Sequence, residues 1–218
     1  MFDASAFQLI SLALTFLISI SLHEYAHARA STQFGDPTPK MQGRLTPNPL
    51  VHIDLLGFLM IFLIHFGRGR PVIVNPAYYK HPLRDELLVA LAGPATNLLL
   101  ATLWIFISYL YMWMVNVPAI SFSQDVVLQF WQLFSWINVS LALFNLLPFP
   151  PLDGYRIVTF FFPQIQPRVV AYGRQISLVV IALLILPTPI RSAVSSFITT
   201  GSEMIFWLIR AFRGIIFL

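Results

Sequence analysis

The chain has 218 residues, 57% of them hydrophobic and only 10% charged, with a mean hydropathy of +0.76. Soluble domains carry roughly 25% charged residues, so a water-soluble fold of this length could not hide so much apolar surface. The formal net charge is +4. Its Lys and Arg fall mostly in short loops with no interleaved aromatics, a pattern that orients membrane helices and argues against nucleic-acid binding.

No stretch is long and polar enough to form a second, water-soluble domain, so residues 1–218 are expected to be one membrane-embedded unit. With no cysteine in the chain, there are no disulfides, and any bound metal must be held by His, Asp, Glu or water.

The first predicted helix runs from about Phe7 to Phe34, and Ala4 to Leu22 carry no charge. At 1.5 Å per residue such a helix reaches roughly 40 Å, more than one bilayer core. The first charged side chain is Asp3, and the apolar run leads straight into histidines, unlike a secretory leader. Gly35-Asp36-Pro37 stops the helix. The acidic start and basic end orient it from outside to inside.

Within this helix lies His23-Glu24-Tyr25-Ala26-His27. Histidines at i and i+4 share one helix face and can share one zinc ion, with the intervening glutamate placed to activate a zinc-bound water. Three ionisable side chains inside an apolar span are costly unless they share a partner. The spacing therefore reads as metalloprotease chemistry set within a membrane.

Residues 35 to 54 read as loop, with Gly43-Arg44-Leu45 as the start of a short strand. Leu55 to Phe66 is apolar, but its twelve residues are short for a span. Pro71 to Val74 reads as a short strand and Asn75-Pro76 as a turn. A second span is expected from about Glu86 to Val115, with Gly93-Pro94-Ala95-Thr96-Asn97 near its start. Asn116 to Ser123 suits an outer loop. A third span runs from about Val126 to Leu147, broken by Pro148-Phe149-Pro150-Pro151 and Asp153-Gly154. Tyr155 to Phe162 reads as an interfacial helix, Val169 to Leu186 as a span, and Ser192 to Leu218 as one more crossing.

If the spans carrying His23 and leading to Asp153 both descend, residues 35 to 85 begin and end on the inner side. Leu55–Phe66 is then re-entrant or interfacial, and the basic residues Lys40, Arg44, Arg68, Arg70, Lys80 and Arg84 agree with that side. A full span paired with an unseen second crossing is the competing reading.

A hydrolytic zinc site usually has three protein ligands and an open position. Spacing alone leaves the third open among the scarce carboxylates and His52, His65 and His81. Asp153 stands out because prolines disrupt the helix before it and Gly154 permits a tight turn beside it. A solvated Asp at an ordinary helix stop is the alternative.

His23-Glu24-Tyr25-Ala26-His27, Gly93-Pro94-Ala95-Thr96-Asn97 and Asn145-Leu146-Leu147-Pro148 with Asp153-Gly154 occur in this order on three predicted spans. Together they resemble the site-2 protease family of intramembrane zinc metalloproteases, over roughly residues 8 to 160. The resemblance implies an all-α polytopic membrane protein with a three-span catalytic core. One or two C-terminal spans would follow over about 165–218, with a re-entrant or short β segment after the first span. It implies one Zn²⁺ per chain held by His23, His27 and Asp153, Glu24 as catalytic base, and Asn97 and Asn145 against the substrate or intermediate. Compact bacterial members, lacking an inserted peptide-binding or nucleotide-sensing domain, are the nearest in kind. The expected partners are transmembrane protein or peptide substrates and the lipid bilayer. The expected home is a bacterial inner membrane, with the site toward the cytoplasm.

Two rival functions are a membrane metal transporter and an inactive scaffold for membrane helices. A transporter requires further ionisable groups along several spans, which are scarce here. Nothing needed for catalysis is visibly missing, which counts against the scaffold.

Overall fold

The computed structural model describes residues 6–64, 69–115, 125–186 and 188–216, and the chain is built of helices. Helix α1 spans Ala6–Gln33 and, at 28 residues, reaches about 42 Å. It ends where expected. Gly35 takes φ of +100°, the Asp36 N–H bonds the Ser31 carbonyl at 3.2 Å and the Gly35 N–H bonds that of Thr32 at 3.1 Å. This six-to-one, five-to-two pattern closes a helix C-terminus with a left-handed glycine.

Three short helices follow: α2 (Thr38–Met41), α3 (Pro49–His52) and α4 (Leu55–Ile64). At 10 residues α4 is too short to cross, in keeping with a re-entrant or interfacial segment. His65 and Phe66 of the predicted segment, Arg68, and the predicted outer loop Asn116–Ser123 lie outside the described residues.

The strands expected at Gly43–Leu45 and Pro71–Val74 do not form. Among the described residues the one β pairing is an isolated bridge between Ile53 and Gly69. Side chains take the place of a ladder. Gln42 Nε2 donates to the Ile73 carbonyl at 2.7 Å, its Oε1 accepts from the Ile73 N–H at 3.2 Å, and the Arg44 guanidinium donates to the Arg70 carbonyl at 2.9 Å. Asp36 secures the same loop to the end of α1. It is fully buried and accepts from Ser31 Oγ at 2.7 Å, the Asn75 N–H at 2.8 Å and the Thr38 N–H at 2.9 Å.

Helix α5 spans Pro82–Val115 and α6 spans Val126–Asn145. Asp125 caps α6, with Oδ1 accepting from the Val127 and Leu128 N–H groups at 2.9 and 3.1 Å. The two helices pack through aromatic rings: Trp104 lies 5.0 Å from Phe134 and 6.0 Å from Trp131 between centroids. Helix α1 packs against both, and its Ser11, Thr15, Ser19, Ser21, His23, Glu24, His27 and Ser31 are buried. Helix α7 (Gly154–Phe161) packs on α5, and α8 (Gln166–Ile185) and α9 (Pro189–Ile216) complete the chain.

Phe7–Gln33, Pro82–Val115 and Val126–Asn145 are long and apolar enough to cross a membrane, and Ala171–Leu184 with Pro189–Trp207 qualifies as a pair bent by 80°. The protein is an all-α, integral membrane protein, with three to four candidate spans among the described residues. The two C-terminal helices qualify together as a broken span or a re-entrant loop.

Candidate metal centre

The two motif histidines project from one face of α1 and are buried, at 3% and 8% exposure. Their Nε2 atoms lie 3.0 Å apart. Each Nδ1 is engaged on the far side of its ring. That of His27 meets the Val89 carbonyl at 2.7 Å, and that of His23 meets Asn97 Oδ1 at 2.6 Å. A carbonyl oxygen can only accept, so His27 carries a proton on Nδ1, and neutral His27 has its lone pair on the inward Nε2.

Asp153 supplies the third group. Its Oδ2 lies 3.3 Å from each Nε2. It occupies the N-cap position of α7 yet makes no capping bond, because its carboxylate is directed at the histidines. The solvated helix-stop alternative is therefore not what the chain adopts. Gly154 makes the turn possible: a Cβ there would sit 2.2 Å from the Leu146 carbonyl oxygen.

His23, His27 and Asp153 form the one group of three such donors close enough to share a metal ion among the described residues. Asp153 Oδ2 is a buried oxygen with no hydrogen-bond partner. A tetrahedral zinc with bonds of about 2.0–2.2 Å spaces its donors by roughly 3.3–3.6 Å. The observed 3.0 to 3.3 Å separations are close to that spacing. Two imidazoles and a carboxylate are also a donor set that zinc accepts. His52 does not join them, since it is buried with Nε2 against the Thr46 carbonyl at 2.8 Å.

Helix α5 forms the back wall. At Gly93 a Cβ would lie 2.4 Å from His27 Nε2 and 2.7 Å from His23 Nε2. The bare glycine lets the α5 backbone approach the donor atoms. The sequence placed Gly93 in a motif but gave no reason for it.

Glu24 is largely buried, and its Oε2 accepts from the Val72 N–H at 2.8 Å. It opens with the three donors onto a cavity of about 440 Å³, also lined by Val72, Asn145 and the α8 residues Gly173 and Ser177. Asn145 reaches this cavity while its Nδ2 donates to the Leu141 carbonyl at 2.9 Å. Asn97 does not reach it. It is fully buried, with Oδ1 on His23 and Nδ2 donating to Asn138 Oδ1 at 2.9 Å.

A family model described as Peptidase family M50 matches residues 112–187, the stretch that contains Asp153. The chain is 44% identical over 149 residues to the Bacillus subtilis protein named "Putative zinc metalloprotease YwhC", covering 67% of each. The chain belongs to peptidase family M50, the site-2 proteases. Proteins named "Putative zinc metalloprotease Rip2" are 32% identical over 185 residues in Mycolicibacterium smegmatis and 34% identical over 180 residues in Mycobacterium tuberculosis. Those alignments cover 78% of this chain and 65% and 64% of the relatives, so the M50 chain spans slightly under two thirds of their length. No solved structure matches it. The M50 assignment makes the chain a metalloprotease, and the names of its relatives imply zinc.

Proposed function

We propose that this protease hydrolyses peptide bonds in or near the transmembrane segments of other membrane proteins, using one zinc ion per chain. The observation that carries the reading is the convergence of His23 Nε2, His27 Nε2 and Asp153 Oδ2 beside Glu24, at a cavity among membrane-spanning helices. These three side chains would hold the ion. Once bound, zinc supplies a Lewis acid that strengthens water as a nucleophile near neutral pH and polarises the scissile carbonyl.

Glu24 takes the proton of the attacking water and later delivers it to the leaving amine. The buried walls of α1, α5 and α6 keep the three donors fixed while bulk water is restricted to the cavity side. Asn145, on the cavity wall, contacts the substrate backbone. A transmembrane helix hides its peptide bonds in internal hydrogen bonds, so a substrate must unwind locally before attack. The Pro71–Val74 segment lines the cavity beside Glu24, and an unwound substrate chain would pass along it. The basic residues of 35–85 support an orientation with the site toward the cytoplasmic side of a bacterial inner membrane.

The test compares purified wild type with Glu24→Gln on single-span substrates that contain helix-breaking residues. Cleavage by wild type alone, with equal zinc in both proteins, supports the reading. Equal cleavage by both would overturn Glu24 as the base.

A further inference from the structure

Behind His23 runs a chain of buried polar groups that the reaction itself does not touch. His23 Nδ1 meets Asn97 Oδ1 at 2.6 Å, and Asn97 Nδ2 donates to Asn138 Oδ1 at 2.9 Å. Asn138 Nδ2 then donates to both Ser19 Oγ, at 2.8 Å, and the Phe134 carbonyl, at 2.9 Å. Ser19, Asn97 and Asn138 are all fully buried, and they come from α1, α5 and α6. Polar groups at this depth in apolar spans are costly unless each finds a partner.

The far end of the chain fixes its direction. The Phe134 oxygen can only accept, so Asn138 must turn its NH₂ toward it. That leaves Asn138 Oδ1 facing Asn97, which must present its own NH₂ there. Asn97 Oδ1 then faces His23, and only an N–H on Nδ1 can meet it. Neutral His23 is thereby held as the Nδ1–H tautomer, with its lone pair on Nε2.

We infer that Asn97, oriented by Asn138 and Ser19, is a positioning residue that sets the tautomer and ring orientation of His23. A backbone carbonyl on α6 thus sets the tautomer of a metal-binding histidine on α1. This role takes the place of the substrate contact expected for Asn97. The inference rests on the metal-site reading for its consequence, since a histidine with Nε2 already free binds metal without first moving a proton.

Zinc affinity by chelator competition, together with ¹⁵N NMR of histidine-labelled protein in detergent, tests it on wild type, Asn97→Leu, Asn97→Asp and Asn138→Leu. Asn97→Leu removes the acceptor and is expected to weaken zinc binding by about 10- to 100-fold. Asn97→Asp keeps an acceptor toward His23 though it loses the donor to Asn138, and should bind zinc more tightly than Asn97→Leu. Asn138→Leu lies one residue further from the metal and should weaken binding in the same direction, and it carries the test if Asn97→Leu does not fold. Equal losses in Asn97→Asp and Asn97→Leu, or wild-type affinity in a folded Asn97→Leu, would overturn the role. The NMR separates this inference from the zinc reading. If wild type binds no zinc, an Nδ1–H tautomer at His23 that becomes mixed in the leucine variants still supports the relay, and an unchanged tautomer overturns it.

Discussion

Gly93 sits against His27 so closely that a Cβ on residue 93 would lie 2.4 Å from the histidine Nε2. No carbon atom can occupy that position without displacing the ring or the helix. Pro94 follows it and cannot donate to the Ala90 carbonyl, so α5 is already a weakened helix at the point of closest approach. Gly93→Ala should therefore weaken zinc binding by about 10- to 100-fold while the protein stays membrane-inserted and helical. Zinc content after dialysis, read beside circular dichroism, checks this. A variant that keeps full zinc would show that α5 does not crowd the site.

Gly154 has a different sensitivity. Its missing Cβ would meet the Leu146 and Leu147 carbonyl oxygens at 2.2 and 2.4 Å, and both belong to backbone that cannot easily yield. Gly154→Ala should lower stability by about 2–4 kcal/mol, in the range of overpacked and strained sites. It should also lower zinc affinity, because the turn that presents Asp153 must shift. Thermal unfolding with and without added zinc measures both. Unchanged unfolding would contradict the packing described here.

The loop that carries Val72 to Glu24 depends on Asp36. Burial pushes this carboxyl up, but hydrogen bonds from Thr38, Asn75 and Ser31 outweigh it and hold it below its ordinary 3.8. A carboxyl with a depressed folded pKa adds stability that is fully present above its unfolded value. That stability is lost as pH falls through the lower, folded one. Asp36→Ala should cost about 1–3 kcal/mol at neutral pH. The gap from wild type should narrow as the pH drops below about 3.8. A gap that does not change with pH would exclude an ionised Asp36 as the tether.

Arg156 of α7 is hydrogen-bonded to Glu86 at the start of α5, with side-chain exposures of 22% and 12%. The pair joins the helix that follows Asp153 to the helix that holds Gly93. Removing either partner leaves a poorly solvated charge. A double-mutant cycle on Glu86→Gln and Arg156→Met should give a coupling of about 1–3 kcal/mol. Coupling below about 0.3 kcal/mol, the range of additive sites, would mean that the pair does not bind α7 to α5.

The sequence disclosed most of the site because membrane spans are poor in polar groups. His23, Glu24, His27 and Asp153 stood out against that background, and the structure brings the two histidines and Asp153 into one cluster. Helices α1, α5 and α6 were legible for the same reason, since length and apolarity define a span. The region from 35 to 80 was harder. Pro71–Val74 has strand-like composition, yet its backbone is satisfied by Gln42 and Glu24 side chains rather than by a neighbouring strand. Long-range side-chain bonds of that kind leave no periodic trace. Asn138 and Ser19 did leave a signal, being amides and hydroxyls within apolar helices. Their shared partner on α5 could be seen only once three helices were packed together.

The central claim is that His23, His27 and Asp153 together hold one zinc ion. Metal analysis with zinc-edge X-ray absorption on wild type and Asp153→Ala tests it most directly. The account predicts one zinc per chain in wild type, bound by two imidazoles and oxygen donors, and a large loss of zinc in Asp153→Ala. A metal-replete wild type without zinc, or an Asp153→Ala variant with an unchanged zinc site, would contradict it.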